Sequence, residues 1–511
     1  MNATRRAMRT DLDEGAGAMA RGAATNLGGA FLTNVLSFVL LLVTTHVVAV
    51  GSVGLLTVAT TVITLALVPA VLGLDTGSVR FVARAAALDD ERAARGACQS
   101  AVGIVAVVST LLAIALFASS DWIAQLVHKP AAVSLIQVSV LGLPGLAISR
   151  VALAASQGFG IMAYAAWFGA LKVASNLVFA VMFVAAGLGV HGLAIAATVA
   201  AWVVCVASLV VLVRIHPLAA RPAPDAWQAG PMLRFSLPQT LSGMLFFTIL
   251  WTDTLLLARY GTAKEVGIYA VAGRLLVPAI VVSTAIGQMF APRIAAADAR
   301  GAHDNLARML KRVTYWNTAV SLPLFAMLAV VAAPLLRLFG PRYTAGATAL
   351  VILAVGQLLN TAAGPLGQVI NMSGRPYVNL ANNTLVAALN VVGCMVLIPR
   401  FGITGAACST SGALTLVNAI KLVEVRFFFD MSPFRADSIR AFAAAALAAA
   451  VTVPVLLLPH WPPGPAEALV ACAVLLLAYS QFALWFALRG EERETVQHGW
   501  SMMRAKVWGR A

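Results

Sequence analysis

A chain of 511 residues that is 60% hydrophobic and 11% charged is excluded from the water-soluble class, because soluble domains carry about 25% charged residues. Its net charge of +15 would point to nucleic acid in a soluble protein; in a membrane chain it reads as topology, so no nucleic-acid partner is expected. The five cysteines, Cys98, Cys205, Cys394, Cys408 and Cys472, lie in or beside apolar runs without a CxxC pair, which indicates neither a disulfide framework nor a metal site, and no cofactor.

Residues 1–23 are basic and rich in small residues, with no apolar core ahead of a cleavage site, and read as a cytoplasmic tail. Apolar runs follow at 24–49, 53–75, 96–118, 133–156, 163–187 and 192–213, a first lobe over 24–213. A Pro-rich cytoplasmic linker, 214–234, leads to runs at 235–258, 265–291, 313–338, 345–371, 376–398 and 404–426, a second lobe over 235–426. Two further runs, 439–458 and 466–488, have plain Ala, Leu and Val interiors that suit lipid-facing helices, and 489–511 is a second cytoplasmic tail. Each run is long enough to cross a hydrocarbon core of about 30 Å. Helix is the expected state, because in lipid each backbone group must be bonded within its own segment. The fold class is therefore an all-α polytopic membrane protein of about 14 transmembrane helices. Breaks carry turn chemistry, at Gly51-Ser52, Gly187 to Gly192, Gly340-Pro341 and Gly402.

One side of this scheme collects 25 Lys and Arg, the other 6, and 4 fall inside spans. The positive-inside rule then places both termini in the cytoplasm. Every connection is short, so no loop is large enough to fold as a catalytic domain.

The halves match at an offset of 213 residues. Val53-Gly54 falls on Val266-Gly267, Arg80 on Arg293, Tyr164 on Tyr377, and Gly189 and Gly192 on Gly402 and Gly405. Six spans is an even number, so the halves run in the same direction. That implies two six-helix bundles related by a pseudo-two-fold along the membrane normal, plus two extra C-terminal helices.

Phe235 to Arg312 carries Trp251-Thr252-Asp253, Glu265-Val266-Gly267-Ile268-Tyr269, Arg274-Leu275-Leu276-Val277-Pro278 and Ala291-Pro292-Arg293. Asn390 to Pro399 and Gly402-Ile403-Thr404-Gly405-Ala406-Ala407 follow, and Ala49 to Leu56 fits more loosely. In these motifs the chain resembles the polysaccharide-type (Wzx-like) flippases of the multidrug/oligosaccharidyl-lipid/polysaccharide exporter superfamily, relatives of the lipid II flippases. The resemblance implies a flippase for undecaprenyl-pyrophosphate-linked oligosaccharide in the bacterial inner membrane. It would supply O-antigen, capsule or exopolysaccharide assembly, with polysaccharide polymerase machinery as a partner. The lipid II flippases place a cavity arginine where Arg274 stands; their other cavity cations, in the first and second spans, have no counterpart here.

Arg274 is about nine residues into its span, some 12 Å deep at 1.5 Å per residue. Lys172 is about as deep in the other half. Two such cations suit a pyrophosphate, with a planar fork from Arg and a point charge from Lys. Arg150, nearer a cytoplasmic end, either snorkels or meets the pyrophosphate first. Asp253, the one acid well inside a span, is a candidate for ion coupling to a proton or sodium gradient, or a charge partner for Arg274 or Arg259. Gln239, Trp251, Tyr269, Gln357, Asn360 and Asn382 are sugar-contact candidates, with interhelical hydrogen bonding as the alternative.

A multidrug or cation antiporter on the same scaffold is the competing function; Arg150 and Lys172 in the first lobe would repel cationic drugs. A polymerase or glycosyltransferase would need a sizeable periplasmic loop. With no GxxxxGK[ST] motif for ATP hydrolysis, the chain reads as a transporter and not an enzyme.

Overall fold

The computed structural model describes residues 28–159, 163–215, 228–299, 303–372, 376–434, 440, 443–444, 447–448, 450–452 and 465–482. Among them the regular elements are helices. Nine are long and apolar enough to cross a membrane, or ten if the bent pair Pro130–Val140 and Leu143–Gly158 is one span. Both expected tails, most of the 214–234 linker and most of the run at 439–458 lie outside the described residues. The chain divides into two compact units, residues 1–267 and 268–511.

The first unit begins with α1, Gly28–Val47, then α2, Val50–Val71, and α3, Leu74–Ala87. Gly51 and Ser52, expected in a turn, instead form the first turn of α2, and the break falls at Val48-Ala49. Pro69 weakens the end of α2, and Leu72 and Gly73 take left-handed φ angles of 53° and 64°. The chain then continues as α3, where a polar connection was expected. This helix is amphipathic: Leu74, Gly77, Ser78 and Val82 are buried, whereas Arg80 and Arg84 are exposed. Asp90 caps α4, Glu91–Ala118, by accepting from the Ala93 N–H at 2.9 Å.

Short α5, Ser120–Leu126, and α6, Val133–Val140, precede α7, Leu143–Gly158; α8, Ala163–Ala185, and α9, Gly189–Ile215, form a hairpin. α7 packs against α3, α4 and α9 through small residues. Gly145 lies on the Ala201 carbonyl and Gly158 on the Val82 side chain, so helix backbones approach closely. The opposite face of α4 exposes Val107, Leu111 and Ile114 at helical spacing, each about 60% open, which is a surface made for lipid. α10, Ala229–Tyr260, packs on α2, α3 and α4.

α11, Ala263–Ala299, starts beside α2. A Cβ on Gly54 would overlap the Ala263 carbonyl, and one on Gly267 would overlap the Val50 carbonyl. Gly54 and Gly267 therefore let the backbones of α2 and α11 meet at this point.

In the second unit α12, His303–Val330, and short α13, Ala332–Arg337, lead to α14, Ala347–Ala362, and α15, Leu366–Met372. Gly364, at φ 82°, separates α14 from α15 and lies against Thr314 of α12. The expected spans 376–398 and 404–426 run on as one element, α16, Pro376–Phe429, with non-helical backbone at Gly402, φ 55° and ψ −129°. Gly405 abuts the Leu397 carbonyl, so the chain doubles back at Gly402. Across that hairpin Asn390 Oδ1 accepts from Ser409 Oγ at 3.0 Å and Thr410 Oγ1 at 3.3 Å. α17, Pro465–Phe482, packs on α12 and α13, and Tyr479 Oη donates to the Ala319 carbonyl at 2.7 Å. This last helix therefore contacts protein on one side as well as offering an apolar face to lipid.

Candidate functional site

Arg274 occupies the exposed face of α11, where Val277, Pro278 and Val281 follow at helical spacing. Its neighbours Val271, Ala272, Leu275 and Leu276 are buried and anchor the helix. Its guanidinium makes no hydrogen bond or ion pair with any described residue. A cation without protein acceptors, on an otherwise apolar stripe, can take an anionic group whose remainder is greasy.

Lys172 of α8 is likewise exposed and its ammonium makes no hydrogen bond or ion pair with a described residue. Ser175 and Asn176 stand three and four positions on, so Lys172 belongs to a polar face of that helix. Arg150 differs: its Nε donates to Asp75 Oδ2 at 2.8 Å, across from α7 to α3. Arg80 and Gln157 line the same cavity, of about 510 Å³.

Asp253 of α10 is buried, and its Oδ1 accepts from the Thr254 N–H at 2.6 Å and from Thr254 Oγ1 at 3.2 Å. Trp251 is half-buried with its indole Nε1 unpartnered among the described residues, and Tyr269 is buried in α11. Gln239 lies in α10, but its side chain is outside the described residues.

The amides of the second unit bind one another. Asn418 Nδ2 donates to Asn360 Oδ1 at 2.7 Å, and Asn360 Nδ2 to Gln357 Oε1 at 3.2 Å, tying α14 to α16. Asn382 is buried and donates to Glu424 Oε2 at 2.6 Å. Lys421 and Glu424, three residues apart, interact electrostatically without a hydrogen bond between them, and Lys421 also lies by Gly367 and Asn379.

Sequence reading passed over Asn418, and named Asn390 and Arg80 only as motif and repeat positions without a contact for either. Arg80 and Arg150 are 70 positions apart, and nothing in one sequence joins them; Asp75, an acid at the end of an apolar run with Arg80 and Arg84 following, was the available signal.

On the far side of the first unit, Arg259 at the end of α10 donates to the Leu126 carbonyl at 2.9 Å, and Lys129 Nζ to the Gly261 carbonyl at 2.8 Å. Burial pulls the Lys129 ammonium below its usual value, and Glu265 opposes that shift.

The family model described as "Polysaccharide biosynthesis protein" matches residues 45–346, more than half of the chain. The chain belongs to that family. A relative from Haloferax volcanii, named "Probable flippase AglR", is 27% identical over 169 residues, 32% of this chain and 36% of the relative. The chain thus spans about a third of the length of that curated relative. Among solved structures, the lipid II flippase MurJ in an inward closed conformation aligns over 91% of this chain and 98% of its own, at TM-score 0.73 and 12% identity. An inward-facing multidrug resistance MATE transporter of the MOP superfamily aligns over 79% and 94%, at TM-score 0.66 and 16% identity. This member of the polysaccharide biosynthesis protein family therefore has the MurJ and MATE fold, and it is a multi-pass membrane protein.

Proposed function

We propose that this protein is a flippase that moves undecaprenyl-pyrophosphate-linked oligosaccharide repeat units across the bacterial inner membrane by alternating access, for O-antigen, capsule or exopolysaccharide assembly. It is a transporter and not an enzyme. The observation that carries the reading is Arg274. It is a membrane-embedded arginine with no acceptor among the described residues, in a member of a polysaccharide biosynthesis family. Such a cation costs about 2.5–3.5 kcal/mol on insertion scales, a cost that an anionic passenger offsets. Val277 and Val281 beside it suit a prenyl chain. Lys172 is assigned as a second diphosphate contact, and Arg150 as a contact at the cytoplasmic end. Asp253 is assigned to ion coupling with a proton or sodium gradient. Gln239, Trp251 and Tyr269 are assigned to sugar hydroxyls. Both termini are cytoplasmic in this scheme.

Deletion of the gene, followed by chemical analysis of prenyl-linked glycans, tests the proposal: oligosaccharide-diphospholipid should accumulate and surface polysaccharide should fall. Two other readings have a specific observation behind them. The likeness to MurJ fits a lipid II flippase, for which deletion would stop peptidoglycan synthesis. The likeness to a MATE transporter fits a cation antiporter, for which deletion would leave surface glycan normal and raise drug sensitivity.

A further inference from the structure

The cavity between α3 and α7 is lined by two guanidinium groups, Arg80 and Arg150, and one carboxylate, Asp75. Arg150 gives only its Nε–H to Asp75, so its terminal nitrogens have no acceptor among the described residues. Arg80 sits over Phe235, its Cζ 4.3 Å from the ring centre, and makes no hydrogen bond with a described residue. Asp75 is itself held at two points: Oδ2 by Arg150, and Oδ1 by the Thr76 N–H at 2.8 Å, in the first turn of α3. The pair is accessible, with side chains 44% and 20% open. A cavity of about 510 Å³ takes a diphosphate with some water, and is too small for a polyprenyl chain as well.

From this geometry we infer that Asp75 is a built-in competitor: its carboxylate occupies Arg150 until the diphosphate of a prenyl-linked substrate displaces it, making the α3–α7 groove a loading site for that headgroup. The inference rests on the flippase reading above, and on the basic side facing the cytoplasm. Two guanidinium forks match diphosphate oxygens, each through paired N–H groups, better than they match one carboxylate held through a single Nε–H. Displacement is shallow, because the pair is solvent-accessible and such pairs are weak. The freed carboxylate keeps its Thr76 N–H and the positive end of α3. Asp75 also sets selectivity. A headgroup of one negative charge gains little by replacing a carboxylate, whereas a diphosphate brings a second fork partner for Arg80.

The test is titration of the purified full-length protein in nanodiscs with farnesyl diphosphate, alongside inorganic pyrophosphate and dioleoyl phosphatidylglycerol. Asp75→Asn should tighten farnesyl diphosphate binding by about 5-fold, the size expected for removing a weak competing ion pair. Arg150→Gln should weaken it by about 10-fold or more, as for loss of a charge-assisted phosphate contact. Adding Asp75→Asn to Arg150→Gln should give no gain, since the competition acts only through Arg150. If Asp75→Asn does not fold, Asp75→Ser keeps an acceptor for the Thr76 N–H and runs the same comparison. Unchanged or weaker binding in folded Asp75→Asn overturns the inference. So does an equal gain for phosphatidylglycerol, which would make the groove a general lipid site, or for inorganic pyrophosphate, which would make it a soluble-anion site. Each of these leaves the flippase reading standing. That reading fails separately, if deletion of the gene causes no prenyl-linked glycan to accumulate.

Discussion

Arg274 and Arg150 illustrate two ways of keeping a cation in a membrane protein. Arg150 is neutralised by Asp75 at 2.8 Å, whereas Arg274 has no acceptor among the described residues. The difference predicts different phenotypes. Arg274→Ala should lower surface polysaccharide by about 10-fold or more, the loss expected for a charge-assisted contact, at unchanged abundance in the membrane. Arg274→Lys should keep part of the activity, since it retains the charge and loses the planar fork. Normal export by Arg274→Ala removes the residue from the mechanism. Asn390 is the opposite case, a polar residue spent on architecture. Its Oδ1 accepts from Ser409, Thr410 and Cys394 while 1% of the residue is exposed. Asn390→Ala removes an acceptor shared across a buried hairpin and leaves Ser409 only the backbone carbonyl of residue 390, a cost of about 1–3 kcal/mol. Thermal unfolding in detergent, followed by tryptophan fluorescence, should show a lowered midpoint; an unaltered midpoint would mean that the hydroxyls find other acceptors.

Helix pairs in this protein meet where side chains are absent. At Gly54 and Gly267 the backbones of α2 and α11 touch, so Gly54→Val must push the helices apart. It should lower the unfolding midpoint strongly, by about 1–3 kcal/mol of stability or more. Gly51→Ala, three residues earlier in the same helix with open space around its Cα, is the control and should be neutral or slightly stabilising. Equal effects from the two would show that the close approach is not what the position requires. Gly402 makes a different demand, since only glycine adopts φ 55° with ψ −129° at low cost. Sequence reading found that break, and those at Gly187 and Gly340, because glycine at a left-handed position is a local property. It misplaced the start of α2, because Gly and Ser serve a first helical turn as well as a loop. It also missed α3, whose arginines mark it as polar while its period is still helical. The amides of Gln357, Asn360 and Asn418 were visible only as residue types. Their bonding to one another depends on how α14 meets α16, which one sequence does not encode locally.

At the scale of the molecule, the apolar content and its punctuation made the membrane class and the helical fold legible. Orientation is a different kind of property, set by where charge cannot cross. The sequence puts 25 Lys and Arg on one side and 6 on the other, and translocating basic loops is what the positive-inside rule forbids. Arg84 of α3 and Lys264 at the start of α11 are exposed, make no hydrogen bond or ion pair with a described residue, and lie on opposite sides of that scheme. They make a direct test in a variant with the five native cysteines replaced by serine. Lys264→Cys should react with a membrane-impermeant maleimide in intact cells, and Arg84→Cys only after permeabilisation. The reverse pattern would turn the Arg80–Arg150 groove to the outside. A loading site for a lipid made in the cytoplasm would then be ruled out, and the same groove would have to serve release.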